Sequence, residues 1–354
     1  MSAESLDETI PVRTAHRFDV ARLERYLRDT VPEIGAELRR PPGSLTARQF
    51  SGGQSNPTYL LSCGAARYVL RRKPPGALLP SAHAVDREFR IMRALEPTAV
   101  PVPRALVYCA DPAIVGTPFF VMEHVDGRVY RDHTLPDLEP RQRAAIYDDL
   151  NRVAAELHKI DPAAVGLADF GKPGNYCARQ IARWTKQYRA SEREPIDAME
   201  RLIEWLPAHA PEQEPSGIAH GDYRLDNVIF AAREPRVLAV IDWELATLGN
   251  PLADFAYTCA GWRLPERLAG RDLAALGIPA EAEFVAAYCR RTAIGSIGDF
   301  DFYVAFALFR LAAILQGIAA RALAGNAASA DAAAAGRRAR PMAEAAWRQI
   351  AGRP

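Results

Sequence analysis

Lysine is almost missing. Of 44 basic residues only Lys73, Lys159, Lys172 and Lys186 are lysine, and the rest are arginine. Beside the abundance of alanine, this reads as a coding bias and not as a functional signal. Net charge is nearly absent too: +1 at pH 7, which leaves no bulk electrostatic case for nucleic acid or a membrane surface. Cysteine is sparse, odd in number and scattered (Cys63, Cys109, Cys177, Cys259, Cys289). No spacing among these residues matches a zinc or redox motif, so a reduced, cytoplasmic compartment is expected. The N-terminal stretch "MSAESLDETIPVRTAHRFDV" is polar, with early acids, and does not read as a secretory leader. No long apolar run is free of charge. The nearest, residues 303 to 323, contains Arg310, Gln316 and Arg321. An interior arginine is costly in a bilayer, so this run reads as a buried helix of a large domain. Internal repeats are absent.

What is present is ordinary globular material: 354 residues, 49% apolar and 25% charged. That length suggests two to three domain-sized units or one large two-lobed domain. Residues 46 to 125 look strand-rich. "TARQFSGGQSNPTYLLSC" and "ARYVLRRKP" place β-branched and aromatic residues between glycine and proline stops. "DREFRIMRALEP" then reads as a helix closed by Pro97, and two further short strands flank a turn at Asp111-Pro112 and Gly116. After Gly127 the pattern turns helical. Ile146, Leu150, Val153 and Leu157 form one stripe behind Pro140. Similar patterns recur near 176 to 190, 196 to 209, 281 to 291 and 301 to 324. "RVLAVIDWE" is a strand among them, and 324 to 340 is either a loop into a last helix or a disordered tail. The expected class is α+β, with a small antiparallel-sheet lobe carrying one key helix (1 to 125) and a larger, mainly helical lobe (126 to 354).

Three features fall on this division in order. "FSGGQSN" is a glycine-rich turn between strands, where backbone N–H groups could approach a phosphate; most such turns are only turns. "YVLRRKP" carries a basic cluster, with Val69, Arg71 and Lys73 on one face and Leu70 and Arg72 on the other. Glu88, in the next helix, could hold the strand cation. Loop, basic strand and acidic helix together suit the phosphates of a nucleotide. The polar knot "IAHGDYRLDNVIF" supplies the rest. Asp222 lies five residues before Asn227, the spacing of a kinase catalytic-loop Asp and Asn. Asp222 could accept a proton from a substrate hydroxyl, and Asn227 and Asp242 offer oxygen to magnesium, a hard cation that takes few protein ligands. A satisfied buried polar network is the competing reading.

"HGDYRLDN" with "IDWE" resembles the aminoglycoside phosphotransferase and choline kinase superfamily, protein-kinase-like enzymes acting on small molecules. "FFVMEHVDGRVYRD", "WTKQYRASE", "LAVIDWELATLGNPLADFAY" and "FRLAAILQGIAARALAGNAAS" narrow the resemblance. They are similar to the kinase-like domain fused to acyl-CoA dehydrogenase in some eukaryotic proteins, and to stand-alone bacterial relatives. The similarity runs from about residue 45 to about 330.

The resemblance implies ATP and Mg2+ as cofactors and assigns roles. Asp222 would be the catalytic base, and His220 and Asp254 would brace its loop. Asn227 and Asp242 would bind magnesium, with Glu244 helping a second metal or water. Gly52, Gly53, Ser55 and Asn56 would cover the phosphates. Arg71 would stand at the strand-lysine position, on the same face as Val69 and paired with Glu88. Met122 would back the adenine, with Glu123 and Val125 bonding it through backbone C=O and N–H. Arg224 would either neutralise the moving phosphoryl group or face solvent.

Residues 261 to 354 hold twelve Arg against eight Asp and Glu, a net +4. Such a wall disfavours a polycationic acceptor and suits an anionic, apolar one. The resemblance points the same way, to 4-hydroxyacyl-CoA thioesters and a functional link to an acyl-CoA dehydrogenase. Arg310 and Gln316 would either line the acyl pocket or be buried structural polar groups. Two alternatives stay open: an aminoglycoside, macrolide or amino-alcohol phosphotransferase, and a catalytically idle nucleotide-binding partner of a dehydrogenase.

Overall fold

A computed structural model describes residues 4–5, 8–41, 43–51, 56–76, 83–172, 174–192, 194–323 and 336–352. The chain forms two compact units. Of the described residues, one comprises those up to Val129 together with Asp226–Ala246; the other comprises those of Tyr130–Leu225 and from Thr247 onward. Residues 226 to 246, placed by sequence in the second lobe, thus group with the first. The cause is strand pairing. Val228–Phe230 forms a hairpin with Val237–Val240, and Phe230 also pairs antiparallel with Arg128. Gly127 permits this approach, because a Cβ there would sit 2.5 Å from the Phe230 carbonyl oxygen.

The first unit is built on a six-stranded antiparallel sheet. Its spatial order is Thr9–Ile10, Leu45–Phe50, Thr58–Cys63, Ala66–Arg72, Phe119–Glu123 and Ala105–Cys109. Alternation decides its faces. Leu70 enters a core with Tyr59, Leu61, Phe119 and Val121, sealed by Leu23 and Leu27 of the helix Val20–Thr30. Arg72 points to the same side and is buried. It is tolerated because its guanidinium donates to the Tyr59 hydroxyl at 3.1 Å and to the carbonyls of His16 and Val115, and lies over the Phe18 and Tyr59 rings. Arg71 is therefore left on the opposite face. The expected helix is Val85–Leu95, with Glu88, Ile91, Met92 and Leu95 buried. The Asp111 turn is one helical turn, Pro112–Val115, capped by the Asp111 side chain and ended by Gly116 at φ 92°.

The second unit is mainly helical: Pro140–Lys159, Tyr176–Ser191, Asp197–Ala208, Pro251–Cys259, Glu281–Thr292, Phe300–Leu323 and Ala339–Ile350. Pro140 opens its helix at the first position. Phe300–Leu323 is long and apolar enough to cross a membrane by length and composition, and 72% of its apolar window is buried inside the protein. Phe302, Phe306, Phe309, Ala312 and Ala313 share one core with Trp184, Leu202 and Met342 from neighbouring helices. A small two-stranded pairing, Gly217–Ala219 against Thr247–Gly249, sets the loop that begins at His220.

Candidate active site

In the first unit the expected nucleotide-side residues meet at Arg71. Its side chain is 12% exposed and contacts three carboxylates: Glu88 at 2.9 Å, Asp242 at 2.7 Å and Glu244 at 3.3 Å. Three anions around one cation leave a surplus of negative charge. Burial first, and then Asp242 and Glu244, push the Glu88 carboxyl up to about 7 despite Arg71 beside it. Burial works against the charged Arg71, but the three acids outweigh it and raise its pKa. Asn56 completes the group, donating to Glu88 at 3.0 Å while its carbonyl oxygen meets His83 Nδ1 at 3.0 Å.

Asp242 reaches this cluster by leaving its strand. Pairing ends at Val240, and Asp242 takes a left-handed conformation (φ 67°, ψ 57°) before the short 3-10 turn Trp243–Leu245. Aspartate tolerates that region better than most residues. Asn227 stands across the hairpin, its carbonyl accepting from Ile241 N–H at 2.9 Å. On the far side of the sheet strand, Val69 pairs in register with Met122, and Tyr68 with Glu123. The Glu123 N–H and carboxylate are both occupied by the Arg104 backbone. Val125 packs against Val129, Ile229 and Ala239. Gly52, Gly53 and Ser55 lie outside the described residues.

The donor set here is carboxylate and amide oxygen, which fits a hard divalent cation. Among the described residues no three His, Cys, Asp or Glu side chains form a self-sufficient metal cage. A site completed by phosphate oxygens and water needs none.

In the second unit the loop His220-Gly221-Asp222 hangs on Asp254. The helix Pro251–Cys259, capped by the Asn250 side chain, buries Asp254 completely enough to leave it 2% exposed. Its carboxylate accepts the backbone N–H groups of His220 and Gly221, each at 2.8 Å, and meets His158 Nε2 at 3.1 Å. Burial pushes its pKa up, but the hydrogen bond from His158, the neighbouring His158 and His220 rings and the Gly221 N–H prevail and hold it below the usual carboxylate range. Because a carboxylate can only accept, His158 presents Nε2–H to it and Nδ1 to the Tyr288 hydroxyl, 2.8 Å away. His220 Nδ1 in turn accepts from Asp222 N–H at 3.1 Å.

Asp222 is thereby placed at the loop's outer end, its side chain 17% exposed. The Tyr257 hydroxyl donates to its Oδ1 at 2.5 Å, and Arg224 Nε lies 3.3 Å from the same oxygen. Arg224 thus pairs with Asp222 and does not simply face solvent.

The expectation for Arg310 changes. It is 5% exposed, donates to the Gly221 carbonyl and lies 4.8 Å over the Tyr257 ring. Of its two expected roles, these contacts are those of a buried structural polar group. Gln316 is likewise buried and reaches the Ser191 carbonyl at 3.4 Å. Sequence reasoning passed over His158 and Tyr257. Tyr257 was within reach, because it follows Asp254 by three residues and so shares its helix face. His158, 96 residues from Asp254 in the chain, gave no local signal.

Comparison with known proteins agrees with this geometry. The profile of the phosphotransferase enzyme family (APH) matches residues 46–291. The chain is 48% identical over 96% of its length to acyl-CoA dehydrogenase family member 10 of Mus musculus, and 41% identical over 97% to family member 11 of Rattus norvegicus. It spans only 32% and 45% of those two proteins. A crystal structure from Ralstonia eutropha, assigned as an aminoglycoside phosphotransferase, superposes with a TM-score of 0.83 at 48% identity, covering 94% of this chain and 98% of that one. Choline kinase from Cryptosporidium parvum (TM-score 0.63, 12% identity, 94% and 96% covered) shares the fold. So does aminoglycoside phosphotransferase APH(4)-Ia in its complex with ADP and hygromycin B (TM-score 0.60, 16% identity, 93% and 99% covered). The chain belongs to the phosphotransferase enzyme family, with the kinase-like fold of that family and the transfer of a phosphoryl group to a hydroxyl as its class of reaction.

Proposed function

We propose that this chain transfers the γ-phosphoryl group of ATP to a hydroxyl of an acyl-CoA thioester, a 4-hydroxyacyl-CoA first among them. The observation that carries the nucleotide half is the buried Arg71 with Glu88, Asp242 and Glu244 around it. Asn227 and Asp242 would hold magnesium, Glu244 would support it, and Arg71 would pair the phosphates once it is released from the carboxylates. The metal supplies charge neutralisation on the phosphates. Asp222 orients the acceptor hydroxyl and takes its proton as the oxygen bonds to phosphorus; the bond to the leaving oxygen breaks and ADP departs. Asp222 suits this because its loop is fixed by Asp254 while its side chain remains partly exposed.

The acceptor is argued from kinship and charge. Relatives 48% and 41% identical across nearly this whole chain bear acyl-CoA dehydrogenase names, and more than half of each lies beyond the match. A kinase that acts in step with a dehydrogenase on one thioester gives that pairing a chemical reason. Of the arginines beyond residue 260, Arg263, Arg291 and Arg338 are spent on Glu281, Asp148 and Glu266. Arg271, Arg290 and Arg348 remain exposed to meet an anion.

An ADP-release screen tests this with hydroxyacyl-CoAs of varied chain length and hydroxyl position, the matching free acids, choline and kanamycin. The expected result is the highest kcat/KM for a thioester. Equal values for thioester and free acid would reduce the reading to a generic hydroxyl kinase. Faster turnover of kanamycin would move it to an antibiotic phosphotransferase.

A further inference from the structure

Among the described residues the basic side chain on the buried Asp254 carboxylate is no arginine but His158, whose Nε2 lies 3.1 Å from Oδ2. Burying a carboxylate is costly unless it is well bonded, so what holds this histidine is informative. His158 stands in the last turn of the helix Pro140–Lys159. Its other ring nitrogen, Nδ1, lies 2.8 Å from the hydroxyl of Tyr288 on the helix Glu281–Thr292. The Tyr288 ring in turn stacks on Phe255, with centroids 3.8 Å apart and planes at 14°. Phe255 follows Asp254 in the helix Pro251–Cys259. The contacts therefore close a circuit, from Asp254 through His158 and Tyr288 to Phe255, that takes in three helices and returns to the residue beside its start.

The circuit fixes which atom faces Asp254. Burial, and then the Asp254 charge, raise the pKa of the Tyr288 hydroxyl, so it keeps its proton. Beside a neutral imidazole it donates to Nδ1, which leaves the ring proton on Nε2; in an imidazolium both nitrogens carry one. In either form Nε2–H meets Oδ2. The same oxygen accepts the His220 N–H, and Oδ1 accepts that of Gly221. These are the two residues that precede Asp222, and Gly221 takes φ 85° between them. A rotation of the carboxylate about its Cβ–Cγ bond would break the His158 contact together with both amide contacts.

We propose that His158, with Tyr288 behind it, is a positioning residue for phosphoryl transfer. It holds the Asp254 carboxylate in the rotation that accepts the His220 and Gly221 N–H groups, and through them it sets where Asp222 stands. This rests on the reading of Asp222 as the base. Orientation of a reacting group is worth large factors, since a misplacement of about 1 Å can cost ~10²-fold. The residues argued to hold nucleotide and metal, Arg71, Glu88, Asn227 and Asp242, belong to the other compact unit. The cost of losing His158 therefore falls on kcat and not on KM for MgATP.

The test compares His158→Leu, His158→Gln and Tyr288→Phe. Leucine removes both ring nitrogens. Glutamine can donate an amide N–H to Asp254 and accept from Tyr288 through its carbonyl oxygen. Turnover is read as ADP release with a 4-hydroxyacyl-CoA and, in parallel, with water as acceptor, well below the melting temperature of each variant so that only folded enzyme is counted. His158→Leu should lower kcat by roughly 10- to 100-fold with KM for MgATP near wild type, and His158→Gln should restore most of it. Tyr288→Phe should lower kcat by a smaller factor and have no further effect in the His158→Leu background. If His158→Leu keeps wild-type kcat, or if leucine and glutamine cost the same factor, His158 is a packing residue and the inference fails while Asp222 stands. Should the leucine variant not fold, Tyr288→Phe decides, and wild-type kcat in it is the same failure. If Asp222→Asn itself turns over like wild type, the base assignment falls and this inference falls with it.

Discussion

Replacing Asp222 by asparagine keeps the shape of the side chain and removes its proton affinity. Turnover should fall by about 10²–10⁴, with the fold and MgATP binding retained; a near wild-type rate would take Asp222 out of the mechanism. Asp242→Ala acts elsewhere. It removes a carboxylate from the Arg71 cluster and should abolish most metal-dependent nucleotide affinity, and calorimetry with MgATP against ATP in chelator would show it. Asp254 gives a pH signature. Its pKa is lowered by the His158 and backbone bonds against the push of burial. Its contribution is therefore full above the ordinary value of 3.8 and is lost as pH falls through the lower folded value. Asp254→Ala should cost about 3–5 kcal/mol at neutral pH, and the gap in melting temperature to wild type should narrow below about pH 4. A gap of constant size down to that pH would mean that Asp254 acts by packing. At this scale the sequence offered Asp222, Asn227 and Asp242 as candidates because kinase chemistry ties oxygen donors to short spacings, and Glu88 as one because an acidic helix follows the basic strand. Arg71 and its partner Glu88 were legible as candidates, but Asp242 and Glu244 meet Arg71 only through the fold that places the hairpin beside the sheet.

Elements were legible wherever their hydrophobic period was strong. The helices Pro140–Lys159 and Glu281–Thr292 begin and end within a residue or two of where their patterns do. The long helix Phe300–Leu323 was recognised as buried from its arginine, but the use of that arginine was not, because periodicity reports which face is apolar and not what stands opposite. The grouping of 226–246 with the sheet unit was illegible for a related reason: a hairpin three to four residues per strand carries no sign of its long-range partner. At the loop between strand and turn, Gly221 has φ 85°. Gly221→Ala should cost about 1–2 kcal/mol for an L-residue forced left-handed, yet reduce kcat more than that loss of stability suggests, because the peptide it twists carries Asp222. Matched thermal melts and kinetics separate the two effects.

For the molecule as a whole, the bearing of charge on substrate choice is open to measurement. If exposed arginines such as Arg271, Arg290 and Arg348 meet CoA phosphates, KM for a thioester at saturating MgATP should rise with salt, since the screening length is about 8–10 Å at 0.1–0.15 M. The free hydroxy acid should bind more weakly and with less salt dependence. A salt-independent KM for the thioester would leave the CoA moiety without an electrostatic role.

All five cysteines are buried and free. Burial raises the thiols of Cys63, Cys177, Cys259 and Cys289 above their ordinary value, so little of the reactive thiolate is present in the folded chain. Each thiol is therefore a silent clock that starts only when its surroundings open. Cys63 and Cys109 keep time for the sheet unit, and Cys177, Cys259 and Cys289 for the helical one. Pulsed alkylation followed by mass mapping would then tell, without any added label, whether the two units breathe in concert or one at a time, and which of them a bound nucleotide quiets.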